Sequence, residues 1–187
     1  MNENQNYNQK SDNTTRERGM LTGMFRDRES SENAFNTLHE RGYSSDDINL
    51  MMSDDTRKMH FSDGAEETEI GTKAAESAGK GSAIGGAVGA IAGVVAAVGT
   101  SLVIPGLGIV LAGPIVAGLA GAGAGGITGG LIGALVGMGI PEARAKLYEK
   151  GIKEGQIVIG VRPRNDEDAE YLEENWRSNN ANVIERS

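Results

Sequence analysis

Sixty-one consecutive residues of this chain, from Gly81 to Pro141, carry no charge. Any fold must take this block out of water or pair it with itself, because it has no charged face to show. Pro105-Gly106-Leu107-Gly108 divides it with a turn signal. Ser82–Ile104 before the turn is 23 residues, roughly 35 Å as a helix. Ile115–Gly139 after it is 25 residues without a proline, roughly 37 Å. Each run matches the roughly 30 Å hydrocarbon core of a bilayer with some tilt.

Of the 28 glycines, 20 fall between Gly79 and Gly139, and their spacing is regular. Gly85, Gly89, Gly93 and Ala97 recur every four residues, as do Gly113, Ala117, Gly121, Gly125, Gly129, Gly133 and Gly137. A parallel row runs through Gly118, Ala122, Gly126, Gly130 and Ala134. Positions four apart share a helix face, so each row reads as a smooth groove into which a second helix backbone can press. Ile84, Val88, Ile91, Val95, Leu131, Ile132, Leu135 and Val136 are left to face lipid or another apolar layer. In water each interior glycine costs a helix about 1 kcal/mol relative to alanine, so lipid or close packing must compensate. A flexible linker is the bland alternative, and it has no use for interleaved Ile, Val and Leu. The block, 81–140, is therefore expected to be a glycine-zipper helical hairpin.

Lys73 and Lys80 precede the block, Arg144, Lys146, Lys150 and Lys153 follow it, and the central turn has no cation. By the positive-inside bias both termini face the cytoplasm, and an even number of passes suits a domain split by the insert. No apolar run follows Met1, so no signal peptide is expected.

Outside the block the chain reads as two strand–helix–strand halves. Residues 1–18 are Asn-rich and polar, an expected disordered tail. The first half covers 19–52: a strand at GMLTGMF, a helix from caps at Ser30 and Ser31 to about Arg41, a stop at Gly42, and a strand at Ile48–Met52. Residues 53–80 read as an acidic linker with a helix around Glu66–Ser77. The second half covers 141–187: a helix opened by Pro141, a strand at Gln156–Val161, a helix over Asp166–Ser178 on the face of Ala169, Leu172 and Trp176, and a strand at Asn182–Glu185. Two such halves packed together give an α+β, ferredoxin-like split domain, four antiparallel strands with two helices on one face.

GMFRDRESSENAFNTLHERGYSSDDINLMM, the glycine-zipper block and IPEARAKLYEKGIKEGQIVIGV together resemble a group of small bacterial general-stress proteins, also described as heat-induced stress proteins. The likeness rests on Phe25, Arg28, Gly42, Pro141, Glu142, Tyr148, Glu149 and Gly151, and covers 19–52 and 80–187. It implies a stress-associated, non-enzymatic protein and brings no catalytic residues with it.

Chemistry-bearing motifs are scarce. There is no cysteine, hence no disulfide, thiolate site or cysteine nucleophile. A net charge of −8 argues against nucleic acid as a partner. Gly121, Gly123 and Gly126 fit G-x-G-x-x-G but lack the preceding strand and the downstream acid of a dinucleotide site. His39 borders an apolar helix face and His60 lies in the linker; Asp46-Asp47 and Asp54-Asp55 are explained by turns and caps. No metal, cofactor or small-molecule substrate is indicated. One constellation is a candidate: Arg26, Arg28, Arg162 and Arg164 end equivalent strands of the two halves and could form a small anion site, against solvated loop ends. The expected function is non-enzymatic, with membrane lipid and further copies of the chain as partners. The alternatives are a soluble, cytoplasmic homo-oligomer assembled through the zipper helices, or a ligand-sensing domain.

Overall fold

The apolar run Leu21–Phe25 forms β1, with every residue buried. Asp27 accepts the Ser30 N–H and so caps α1, Arg28–Glu40. The helix thus starts about one turn before the Ser30–Ser31 cap expected from sequence, because the charged Asp27 side chain takes the role. Gly42 ends it at φ +81°, with the Tyr43 N–H returning to Leu38 O at 2.9 Å. A single 3-10 turn, Ser45–Asp47, leads into β2, Ile48–Ser53. The computed structural model describes residues 19–61, 91, 102–104, 108–116, 130–137 and 140–186. The 1–18 tail, the helix expected at Glu66–Ser77, and Gly85, Gly89, Gly93, Ala97, Ala117, Gly121, Gly125 and Gly129 lie outside the described residues.

Three stretches differ from the sequence reading. Residues 54–61, expected as linker, are a helix, α2 (Asp54–Phe61), whose Phe61 is buried and whose Thr56 Oγ1 bonds Gly155 O at 3.2 Å. Within the uncharged block, Leu102–Ile104 is β3 and Ile109–Ala112 is β4, where helix was expected. Gly113 follows β4 at φ +90° and not on a helix. A Cβ there would stand 2.0 Å from the Ile48 carbonyl oxygen, so its place in the small-residue row reflects close backbone approach to β2. The block resumes as α3, Gly130–Gly137, followed by α4, Glu142–Lys153, β5, Ile157–Val161, α5, Asp166–Ser178, and β6, Val183–Arg186.

One antiparallel sheet orders the strands β3-β4-β2-β5-β1-β6. Leu21 pairs with Val161 and Phe25 with Ile157 between β1 and β5. Met52 pairs with Val110 between β2 and β4. The two halves interleave, β1 and β2 flanking β5 on either side. The expected sheet of four strands has six, because the uncharged block supplies an edge hairpin.

Both faces are covered, which explains why the strands read as unbroken apolar runs and not as alternation. On one face α1 and α5 lay Phe35, Leu38, Leu172 and Trp176 over Leu21, Phe25, Leu50 and Ile159. On the other, α3 and α4 lay Leu131, Leu135, Ala145, Tyr148 and Ile152 over Met24, Met51, Leu111 and Val158. The sequence reading placed helices on one face only; the second layer comes from α4 and from the uncharged block itself.

Candidate functional site

The densest polar constellation joins the halves where the end of α1 meets the start of α5. Asn165 caps α5 by accepting the Asp168 N–H at 2.7 Å, which turns the Asp168 side chain back toward α1. Asp168 is buried, and its Oδ1 accepts from Arg41 Nε at 2.8 Å and Nη2 at 2.6 Å. The Tyr43 hydroxyl donates to Asp168 Oδ2 and accepts the Arg164 main-chain N–H at 3.0 Å. The Arg164 guanidinium lies 4.3 Å from the Tyr43 ring centroid and donates to the carbonyls of Arg41, at 3.0 Å, and Gly42. Arg41 in turn lies 4.2 Å over Tyr171.

Burial works to raise the Asp168 carboxyl, and the hydrogen bonds from Tyr43 and Arg41 outweigh it, holding the group below its ordinary value. The Tyr43 phenol is pushed up to about 12, by burial first and then by donating to that carboxylate. The members of this clasp thus satisfy one another. It fastens the halves; it presents no free nucleophile, base or cation.

The four arginines expected to form an anion site do not converge. Because β1 and β5 are antiparallel, the residue after Phe25 and the residue after Val161 lie at opposite ends of the sheet. In this register Arg162 falls level with Met20, six residues from Arg26 along the strand, about 20 Å at 3.4 Å per residue. Arg26 and Arg162 are exposed. Arg28 lies 5.4 Å over the Phe61 ring with Glu32 Oε1 at 3.8 Å, and Arg164 closes the carbonyl end of α1. The expectation of equivalent strand ends overlooked strand direction, which sequence spacing does not carry.

A second buried pair, Thr22 Oγ1 and Tyr148 Oη at 2.5 Å, sits beneath α4, beside the Arg144–Glu185 ion pair at 2.5 Å. His39 packs edge-on against Phe35 at 4.8 Å between centroids, as its position next to the apolar stripe implies. Asp47 closes a capping box with Ser44, and Asp54 pairs with Arg57 and Lys58, both at 2.7 Å. Among the described residues no group of three His, Asp or Glu side chains could hold a metal. The clasp was missed in the sequence because Arg41, Tyr43 and Asp168 are distant in the chain. Its local traces are the Arg-Gly-Tyr after α1 and the Asn-Asp-Glu-Asp opening α5.

Besides Gly113, the first small-residue row reaches the described residues at Gly133 and Gly137. Both lie on α3, and a Cβ at either would meet nothing within 4 Å. Their neighbour Val136 is 44% exposed, while Leu131 and Leu135 are buried. The outward side of α3 is therefore small, apolar and uncharged. Among the described residues no helix is long and apolar enough to cross a membrane. No family model, curated protein or solved structure matches the chain.

Proposed function

We propose that the chain is a non-enzymatic, stress-associated protein on a ferredoxin-like split unit, which self-associates through the small-residue rows of its uncharged block without passing that block through a bilayer. The split unit is supported by the order β2-β5-β1-β6, with α1 and α5 carrying the two crossovers on one face. The stress association rests on the motif resemblance from Phe25 to Gly151.

One observation carries the choice against a spanning hairpin: the uncharged block is hydrogen-bonded into the sheet at β3 and β4 and covers it again at α3. Between Phe61 and Leu102 the uncharged stretch is 81–101, long enough for a single pass. A single pass would leave β3 and β2 on opposite sides of a membrane, yet β4 bridges them in one sheet. Between Val116 and Gly130 there are 13 residues, a helical reach of about 20 Å against a core of about 30 Å. What remains for the small-residue rows is to meet their like on another copy, and the outward Gly133–Gly137 side of α3 is chemically suited to that.

Light scattering on the full-length chain, with an alkaline carbonate wash of cell membranes, tests the proposal. A discrete multimer in the carbonate supernatant is expected, with the double variant Gly125→Leu, Gly129→Leu at lower mass. Retention in the pellet until detergent is added, or an unchanged mass in the double variant, would overturn it.

A further inference from the structure

β4 is apolar at every position, Ile109-Val110-Leu111-Ala112, and buried throughout. With apolar layers on both faces, such a strand carries little information about its own register. In the observed pairing Leu50 opposes Ala112, Met51 opposes Leu111, Met52 opposes Val110 and Ser53 opposes Ile109. Sliding β4 by two residues would set Ile48, Asn49, Leu50 and Met51 against Ala112, Leu111, Val110 and Ile109. The number of pairs is kept, every side chain stays on its face, and Ile48 replaces Ser53 in the seam. Hydrophobic burial does not reject this arrangement, so something polar must.

Two hydrogen bonds close the ends of the seam. At one end the Asp54 N–H donates to Gly108 O at 2.7 Å, main chain to main chain. At the other, the chain leaves β4 through Gly113 and turns helical at residues 114–116. The first N–H groups of a helical turn lack internal acceptors, and Gly113 has no side chain to cap them. Asn49, on β2 and 2% exposed, supplies the acceptor: its Oδ1 takes the Ile115 N–H at 2.7 Å. Its Nδ2 donates to Gly160 O at 3.4 Å, so both ends of the amide are satisfied. After the slide Ile115 would stand about 7 Å further along the strand. Asn49 would then sit opposite Leu111, with its oxygen buried and unpaired. Leaving a buried polar group without its partner costs more than the bond contributes net.

We propose that Asn49 sets the register of β4 on β2, one buried amide choosing between pairings that the apolar side chains do not distinguish. A buried polar group used for registry contributes to uniqueness more than to stability. The observed register is also the one that places Ile115 in the second-face layer with Leu131 and Leu135. Asn49 has this role whether or not the chain self-associates.

Disulfide trapping in the full-length chain, which has no cysteine of its own, reads the register. Met52→Cys with Val110→Cys reports the observed pairing, and Leu50→Cys with Val110→Cys reports the slid one. In the observed register residues 50 and 110 are diagonal neighbours, about 7–8 Å apart and beyond disulfide reach. With Asn49 present, the first pair should close and the second stay open. Asn49→Leu, close in volume, and Asn49→Ala, which adds no bulk, should fold and let the second pair close about tenfold faster or more. Asn49→Asp keeps the acceptor and should hold the observed register. A slid pair that stays open in both folded variants, or closes as fast in Asn49→Asp, would overturn the proposal. Loss of the fold in both Asn49→Leu and Asn49→Ala would overturn it too, because the amide would then serve stability and not register.

Discussion

Gly113 shows how one residue can belong to a pattern for a reason the pattern does not suggest. It falls on the four-residue repeat of small side chains, but its φ of +90° and the Ile48 carbonyl in front of it set its identity. Gly113→Ala adds a strained backbone and a clash that only main-chain movement relieves. The expected loss is about 3 kcal/mol, a fall in Tm of roughly 6–12 °C for a chain of this size, measured by calorimetry. Tyr43→Phe should cost about 1–3 kcal/mol, since it removes a donor from a buried carboxylate. Its pH signature has two limbs. Asp168 sits below its unfolded value of 3.8, so the unfolded chain binds the proton more readily and stability rises with pH through that range. That contribution is complete above about pH 5 and lost in acid as the pH falls through the folded value. Tyr43 lies above its unfolded value of 10.0, at about 12, so its contribution is present below pH 10 and lost as the pH climbs toward 12. Urea titrations across pH should show the Tyr43→Phe variant with a flattened acid limb and a smaller alkaline one, since buried Tyr148 is also held above its ordinary value. Identical pH profiles for the two proteins would show that the phenol does not couple to Asp168.

At the scale of elements, legibility followed the periodicity. The apolar faces Ala34-Phe35-Leu38 and Ala169-Leu172-Trp176 recur at helical spacing between polar residues, and α1 and α5 form there. The helix expected over Asp166–Ser178 matches α5 residue for residue, because Asn165 caps it and Asn179-Asn180 ends it. In the uncharged block the same signal fails. Ile109-Val110-Leu111-Ala112 is apolar at every position, so it has no period to distinguish a strand buried on both faces from a piece of helix. The hydrogen bonds to β2 settle it, and those depend on a partner some 60 residues earlier. The candidate site fared worse for a related reason: residue spacing does not report strand direction, and direction parts Arg26 from Arg162. The second-face layer is also testable by element. Leu135 is fully buried between α3 and the sheet, so Leu135→Ala should cost about 2–5 kcal/mol. Val136→Ala, one position on and 44% exposed, should stay within about 0.5 kcal/mol. Denaturant midpoints decide it; equal effects would mean that α3 does not cover the sheet.

For the whole molecule, the consequential relation is that a block with the composition of membrane helices is stitched into an antiparallel sheet. Topology then restricts what the block can do, because a chain cannot hydrogen-bond β4 to β2 and hold residues 109–112 inside a bilayer. The absence of cysteine makes this relation directly measurable in cells, since any thiol introduced has no native competitor. Met52 and Val110 are directly paired across β2 and β4, and both belong to the α1–α5 side of the core. Opposed residues of an antiparallel pair lie about 4.5–5.5 Å apart at Cα, within the span a disulfide needs. The double variant Met52→Cys, Val110→Cys is therefore expected to close on mild oxidation, giving a faster band on non-reducing gels that dithiothreitol reverses. Closing the loop between them should also stabilise the fold by about 2–4 kcal/mol. Both effects should occur in the carbonate supernatant. If the thiols remain free in the folded protein while the chain stays with the membrane, then β4 is unpaired in the cell, and the hairpin reading returns in its spanning form.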